Sequence, residues 1–233
     1  MLDLLDINHW TPLRNPTARP QILLCGVNLS LAAGEQIAIV APEPDHRNGL
    51  IDVLTGTQSP SEGARRARGQ TRSLTALAEG FLPRLSVAAN LALIGGINHL
   101  DIDHLKARVV TLLGDEILSL PVAVLSDALR TTLATTVARA LPVGCLVINH
   151  ESRFAPADPH LPIFDDISVP PAMVHVFAAQ PATLPVHDRA YALIGPHLIA
   201  ADDPQDLADI LSLAALANAA RPDTKELSPY ASR

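Results

Sequence analysis

The chain has few cysteines and few aromatic residues. Two of its 233 residues are cysteines, and aromatic residues make up 3% of the sequence. Cys25 and Cys145 lie far apart, each among apolar residues, which is typical of buried thiols rather than of a disulfide or a metal-binding pair. The cysteines therefore argue against a disulfide-stabilised secreted fold and predict a reducing compartment.

Long apolar runs are also missing. No stretch reaches the roughly 18 apolar residues that indicate a membrane-spanning helix. The first ten residues, MLDLLDINHW, contain acids and lack the basic and long apolar regions of a secretion signal. We therefore expect a cytoplasmic protein that contacts a membrane only through a partner.

Basic residues are outnumbered by acidic ones, 17 to 24, which gives a formal net charge of −7. Such a chain has no general electrostatic attraction to nucleic acid, so we predict no nucleic-acid partner. Arg65, Arg66, Arg68 and Arg72 form one local basic cluster, which we interpret as a solvated loop.

Several enzyme motifs are absent. The sequence contains no G-x-S-x-G, C-x-x-C or H-E-x-x-H pattern. His99 and His104 are five residues apart in a helical stretch, so they fall on different helix faces and do not form a metal-ligand pair. His160, His187 and His197 fall in predicted loops without paired ligand spacing. We predict no metal site and no independent enzymatic activity.

The apolar pattern indicates an α/β fold. Alternation predicts a strand over residues 21–31, and a buried run predicts another over 36–40, with the turn AAGE between them. Further predicted strands cover residues 144–149, 172–179 and 189–195, and predicted helices cover 48–54, 86–97, 101–114, 125–141 and 203–220; residues 71–79 fit a short strand or a helix. Ser86, Asp101 and either Ser126 or Asp127 are predicted helix caps. Buried strands of this kind form a mostly parallel sheet, whose ligands bind at the carboxyl ends of its strands.

One such strand end has an unusual composition. Residues 38–54, AIVAPEPDHRNGLIDVL, consist of an apolar strand, a polar loop and an apolar helical run. Nucleotide-binding proteins have a glycine-rich phosphate loop at this place, but this loop has two prolines and no glycine before Gly49.

Around this loop the sequence resembles the ATP-binding subunits of ABC transporters, in particular the capsule and O-antigen polysaccharide-export branch. The resemblance runs from about Leu4 to Leu211 and rests on the order of the segments VNLSLAAGEQIAIV, LIDVLTGTQSPSEG, LAEGFLPRLSVAANLALIGGI and GCLVINHE. It implies a P-loop NTPase-like ABC domain over residues 1–215, with a mostly parallel core sheet, an N-terminal antiparallel β part and an inserted helical subdomain at about 82–140. Residues 216–233 are predicted to be a disordered tail.

The phosphate loop of the family pattern is altered at residues 41–49. A working loop uses glycines, a lysine and a magnesium-binding hydroxyl. Arg47 falls at the lysine position and Asn48 and Gly49 at the hydroxyl position, while Glu43 places negative charge near the expected phosphates. We interpret the segment as a vestigial phosphate loop that binds ATP weakly or not at all.

The other family motifs are altered too. Asn149 takes the place of the magnesium-shell aspartate and His150 that of the catalytic glutamate; a register shift of one residue would instead make Glu151 the base. Gln180 replaces the switch histidine.

The signature segment has Ser126, Asp127 and Ala128, with the glycines replaced. This serine and aspartate also suit an ordinary helix cap. Trp10 lies near where the family places an aromatic residue that stacks on adenine, although packing in the fold also explains it.

The resemblance and the altered motifs together predict a noncatalytic subunit or regulator with no bound cofactor. Its implied partners are an ABC permease, a competent ATPase subunit, or a second copy in a homodimer, at the cytoplasmic face of the inner membrane. Residues 80–100 are the predicted docking region, although Phe81 and Leu82 also suit core packing. Two alternatives are a divergent ATPase that uses Arg47, Glu151 and Gln180, and a subunit that binds ATP on Trp10 without hydrolysing it.

Overall fold

The computed structural model describes residues 1–11, 20–156, 170–181 and 188–219. The strands in chain order are β1 (Leu2–Trp10), β2 (Ile22–Leu31), β3 (Gln36–Val40), β4 (Glu62–Ala67), β5 (Gln70–Ser73), β6 (Val143–Asn149), β7 (Ala172–Phe177), β8 (Arg189–Ile194) and β9 (His197–Ala201). The helices are α1 (Pro44–Thr55), α2 (Leu74–Glu79), α3 (Val87–Asn98), α4 (Ile102–Leu113), α5 (Asp127–Ala140) and α6 (Pro204–Ala219), with 3₁₀ turns at Glu116–Ser119 and Val122–Val124.

The larger sheet has six strands in the order β5-β6-β7-β3-β8-β9. Neighbouring strands are parallel except for β9, which runs antiparallel to β8. β3 lies between β7 and β8, and its residues from Ile37 to Val40 are completely buried. This arrangement confirms the predicted α/β class with a mostly parallel core sheet.

The smaller sheet is antiparallel, with β1 between β2 and β4. In β1, Leu2, Leu4 and Ile7 are buried against the core, as expected for one face of a strand. The N-terminal antiparallel part implied by the resemblance is therefore present.

The interpretation of the arginine cluster as a loop is wrong for three of its four residues, and only Arg68 lies in the connection between β4 and β5. Arg65 and Arg66 lie in β4, opposite Leu4 and Asp3 of β1, and Arg72 lies in β5. β4 has no apolar alternation, because most of it is exposed and it is held by main-chain hydrogen bonds to β1. Residues 71–79, for which the sequence predicts either a short strand or a helix, contain the end of β5 followed by α2.

The core sheet is covered on both faces. Ile37 and Ile39 of β3 pack in a cluster with α1 and the smaller sheet, whereas Ala38 and Val40 point to the opposite face, toward α6. A third cluster contains side chains from the four helices α2, α3, α4 and α5 and from β6. It includes Phe154, which is fully buried. The helices α3 to α5 thus form an insertion between β5 and β6.

The predicted helix caps are confirmed. The Ser86 Oγ accepts a hydrogen bond from the Ala89 N–H at 3.2 Å, and the Ser126 Oγ accepts one from the Leu129 N–H at 3.3 Å. The Asp101 carboxylate accepts from two N–H groups in the first turn of α4, so α3, α4 and α5 all begin where the sequence predicts.

Both cysteines are free thiols. Cys145 is buried in β6, and burial raises the pKa of its thiol to about 12, so it stays protonated and unreactive at neutral pH. None of the helices among the described residues is long and apolar enough to cross a membrane. His197 begins β9 rather than lying in a loop, whereas His160, His187 and the predicted tail from 220 onward lie outside the described residues.

Candidate functional site

Three altered motifs meet at the carboxyl ends of β3, β6 and β7. Val40 lies beside Phe177, and Asn149 lies beside Val176. The Ala41 N–H donates to the Phe177 carbonyl at 2.7 Å, which ties the segment after β3 to the end of β7. The sequence-predicted residues Arg47, Asn149, His150, Glu151 and Gln180 therefore belong to segments that converge at one edge of the sheet, where α/β folds bind ligands.

Helix α1 begins inside the predicted phosphate loop. The sequence predicts a start near Asn48, but the helix starts at Pro44, so only residues 41–43 separate it from β3. The Arg47 N–H donates to the Glu43 carbonyl at 3.0 Å, and Pro44 has no N–H. Pro44 therefore offers no N–H to a phosphate, and the Arg47 N–H is used within the helix.

The Arg47 side chain fills the space inside the short loop. It is 8% exposed, and its Nη1 donates to the Ala41 carbonyl at 2.7 Å and to the Pro42 carbonyl at 3.3 Å. The guanidinium therefore satisfies the carbonyls of its own loop, a role that needs no bound anion.

His46 holds the start of α1 against the smaller sheet. Its Nδ1 lies 2.8 Å from the Leu23 carbonyl and its Nε2 lies 3.1 Å from the Glu43 carboxylate. His46 therefore acts as a bridge between β2 and the loop.

Asn48 and Gly49 do not form a magnesium site. Asn48 is exposed on α1. Gly49 is buried, and a Cβ atom there would come 3.0 Å from the Leu23 side chain. The glycine is therefore explained by the close packing of α1 on β2 rather than by phosphate chemistry.

The polar groups after β6 hold the local turn. The Asn149 Oδ1 accepts from the Glu151 N–H at 3.1 Å, and one Glu151 carboxylate oxygen accepts from the Ala178 N–H at 3.0 Å. Glu151 thus links the ends of β6 and β7. Among the described residues, no group of three or more His, Cys, Asp or Glu side chains is placed to hold a metal ion.

His150 stacks on the side chains of β7. The centroids of the His150 and Phe177 rings lie 4.2 Å apart, and the two rings are nearly parallel. The His150 Nε2 lies 3.0 Å from the His175 Nδ1. Burial lowers the pKa of His150 to about 4, and the nearby Glu151 only partly opposes this. At neutral pH the ring is uncharged and acts as a packing group.

The depressed pKa of His150 predicts a loss of stability in mild acid. Below pH about 6.5 the unfolded state binds a proton at this residue, whereas the folded state resists it until pH about 4. Stability from His150 is therefore full above pH about 6.5 and falls as pH drops toward about 4. Urea unfolding of the native protein and of His150→Gln should show a shallower decline for the variant in this window. Identical slopes would contradict a half-buried His150 that stays neutral at pH 7.

The remaining predicted residues have local structural roles. Ser126 caps α5, and Asp127 and Ala128 are exposed in its first turn. Gln180 donates from its Nε2 to the Pro204 carbonyl at 3.1 Å, at the start of α6. Trp10 is the last residue of β1 and is partly exposed. Its main-chain N–H donates to the Ser61 Oγ at 3.3 Å.

Sequence reasoning missed a cavity beside the short loop. It has a volume of about 490 Å³ and lies between the ends of β3, β7 and β8 and the side of α6. Its lining is mostly apolar and includes Pro42 and Leu211, with Glu43, Gln180 and Ser212 as polar members. The small apolar residues of α6 are the only sequence signal for it. Among the described residues that line this cavity, none has a cationic side chain to offer a phosphate.

The residues at this edge differ from the groups with which a phosphate loop binds Mg-ATP. Arg47 stands at the position of the lysine, Asn48 and Gly49 at that of the magnesium-binding hydroxyl, and Asn149 at that of the carboxylate. At Pro44, where α1 begins, the main chain has no N–H. The two acids beside the loop, Glu43 and Asp45, would repel the phosphates.

Comparison with known proteins gives one curated relative and many structural ones. No family model matches the chain. The O-antigen export system ATP-binding protein RfbB of Myxococcus xanthus is 25% identical over 130 residues, which cover 54% of this chain and 30% of that protein. The match thus spans about a third of the relative's length.

The solved structures with similar folds are ATP-binding cassettes. A nucleotide-free cassette of an ABC transporter superposes with a TM-score of 0.63 at 17% identity, covering 91% of this chain and 94% of that one. The dimeric bacterial cassette MJ0796 gives a TM-score of 0.65 at 13% identity, covering 85% and 96%. The same cassette, in a post-hydrolysis state with ADP and Pi, gives 0.64. The chain therefore has the fold of an ABC-transporter ATP-binding cassette and is related in sequence to an O-antigen export ATP-binding protein.

Proposed function

We propose that the chain is a noncatalytic cassette, a pseudo-ATPase subunit or regulator of a polysaccharide exporter that uses the fold as a protein-interaction surface. The observation that carries the proposal is the closed phosphate loop. Helix α1 starts at Pro44 and the Arg47 guanidinium binds the carbonyls of Ala41 and Pro42. A triphosphate would meet the negative charge of Glu43 and Asp45 and would compete with two carbonyls for a buried arginine.

The export role rests on the sequence relative. That protein is an O-antigen export ATP-binding protein, and a cassette structure of the same fold is dimeric. By analogy, this chain pairs with a competent ATPase subunit or with a second copy of itself, and contacts the membrane through a permease at the cytoplasmic face.

Residues 80–100, which overlap the start of the helical subdomain of about 82–140, are the proposed docking region of a domain that spans residues 1–215. Within the predicted docking region, Phe81 is 3% exposed and belongs to the core, whereas Leu82 is 49% exposed. On α3, Leu93 and Ile97 are exposed as well, at 43% and 73%. Exposed apolar side chains on one helical unit are typical of a surface that another protein covers.

Placing a charge on this surface should prevent docking. We expect Ile97→Asp to abolish co-purification with an ABC polysaccharide permease and its intact ATPase subunit, co-expressed from the same genome. A buried aspartate without a partner carries a large desolvation cost. Leu213→Asp, an equally exposed position on α6, is the matched control and should co-purify normally. Loss with both variants, or with neither, would contradict docking through α3.

Trp10 allows a direct test of nucleotide binding. It is the only tryptophan of the chain, so intrinsic tryptophan fluorescence reports on this residue alone. We expect no saturable change on titration with ATP to millimolar concentrations, with or without Mg²⁺. Quenching by ATP but not by an unrelated anion would instead support a subunit that binds ATP on Trp10 without hydrolysing it.

A further inference from the structure

A second, polar cavity lies at the other end of α1. It has a volume of about 220 Å³ and is lined by the end of α1, the end of β5 and the start of α2. Its polar lining residues are Thr55, Thr57, Thr71, Arg72 and Ser73. The volume is below the range of roughly 300–1,000 Å³ that holds drug-sized ligands, so the cavity suits a smaller group.

Two hydroxyls of this cavity keep their hydrogens for a ligand. The Thr71 Oγ1 accepts from the Arg65 Nη2 at 2.8 Å, and the Ser73 Oγ accepts from the Ala76 N–H at 3.3 Å. A hydroxyl has one hydrogen to donate, and neither is donated to an acceptor within the part of the chain that the structure describes. Both hydroxyls are therefore available as donors.

Arg72 is held in place beside these hydroxyls. Its Nε and Nη2 donate to the Gln70 Oε1 at 3.1 and 2.7 Å. Gln70 thus orients the guanidinium and leaves its Nη1 to donate elsewhere. Arg65 is fixed in the same way, because its Nε and Nη2 both donate to the Leu54 carbonyl.

The charge around the cavity is positive and uncompensated. No carboxylate of the described residues lies within ion-pair distance of Arg65, Arg66, Arg68 or Arg72. These four account for nearly a quarter of the 17 basic residues in a chain whose net charge is −7. Fixed guanidinium groups beside free hydroxyl donors form a site for an oxyanion.

We propose that this cavity binds the phosphate group of a small ligand, either inorganic phosphate or a phosphate monoester. Arg72, Thr71 and Ser73 donate to the oxygens of the phosphate group. Arg65, which is hydrogen-bonded to Thr71, adds positive charge beside the site. The site is separate from the closed loop after β3, and it gives this cassette a ligand other than a nucleoside triphosphate.

The test is isothermal titration calorimetry at low ionic strength with two probes, inorganic phosphate and a hexose 1-phosphate. We expect saturable binding at one site. Arg72→Gln should raise the Kd at least about tenfold, because one charge-assisted hydrogen bond is lost. Arg68→Gln removes the same charge from an exposed position outside the cavity, and should raise the Kd by less than about threefold because its field is screened.

Arg72→Lys keeps the charge without the fork-shaped donor group, and should bind with intermediate affinity. Tighter binding of the hexose 1-phosphate would identify a sugar phosphate as the ligand, and equal affinities would identify phosphate itself. Equal losses in Arg72→Gln and Arg68→Gln would show a diffuse charge effect and overturn the proposal. Absence of binding of both probes at millimolar concentrations would overturn it too.

Discussion

Replacing Arg47 by alanine is expected to lower the free energy of unfolding by about 2–3 kcal/mol, because a buried charged donor to two carbonyls is lost. Ala41 is fully buried, so its carbonyl cannot be rehydrated without opening the loop. The Arg47 Nε has no hydrogen-bond partner among the described residues, which keeps the expected loss below that of a fully paired arginine.

Urea unfolding measures this effect, and Arg66→Ala is the matched control. Arg66 is exposed on β4, so its removal should change the free energy by less than about 0.5 kcal/mol. A loss in Arg47→Ala no larger than in the control would mean that the guanidinium does not hold the loop closed. The stability loss should also be the same with and without ATP.

Replacing Asn90 by alanine is expected to cost about 3 kcal/mol. This residue is 2% exposed, and its amide makes four hydrogen bonds to the main chain of the turn before α3. The Asn90 Oδ1 accepts from the Leu82 N–H at 2.7 Å, and the Nδ2 shares its two hydrogens among three carbonyls, those of Leu82, Leu85 and Ser86. Truncation leaves the Leu82 N–H without its acceptor and removes one of the two donors from each carbonyl, which keep the N–H groups of Leu85, Val122 and residue 90.

Asn98→Ala on the same helix is the control for this second prediction. The Asn98 side chain makes one hydrogen bond, from Nδ2 to the Ile94 carbonyl at 2.9 Å, and is partly exposed. Its removal should cost about 1 kcal/mol or less. If both variants unfold at the same urea concentration, Asn90 does not organise the turn that carries Leu82, and the proposed docking surface loses its rigid support.

The parts of the fold that local physics specifies could be predicted from the sequence. The caps at Ser86, Asp101 and Ser126 use side-chain chemistry within three residues, and the apolar runs of β3 and β7 are long enough to be recognised as buried strands. These features also support the resemblance to ABC cassettes, whose fold the structure has.

Features that depend on tertiary contacts were missed. β4 is polar because its hydrogen bonds to β1, not burial, hold it as a strand. The early start of α1 was hidden by polar residues, although Pro44 at the first position and Asp45 in the first turn are both helix-start signals.

The roles of individual site residues also depended on contacts that no spacing predicts. The alignment with the family pattern identified Arg47 as the lysine replacement, but not that its side chain turns back onto Ala41. Likewise Asn149 and Glu151 were candidates for metal and base roles, and in the structure they hold main-chain N–H groups of Glu151 and Ala178. Their catalytic roles remain hypotheses of the alternative ATPase.

The most direct test of the pseudo-ATPase proposal is steady-state Mg-ATP turnover by the purified protein, compared with Arg47→Lys and Glu151→Gln. Arg47→Lys restores the lysine of the family pattern, but Pro44 still lacks an N–H and the main-chain N–H of residue 47 still donates to the Glu43 carbonyl. We predict that none of the three proteins hydrolyses ATP above the rate without protein. Magnesium-dependent turnover by the native protein that Glu151→Gln abolishes would contradict the proposal and establish a divergent, active ATPase.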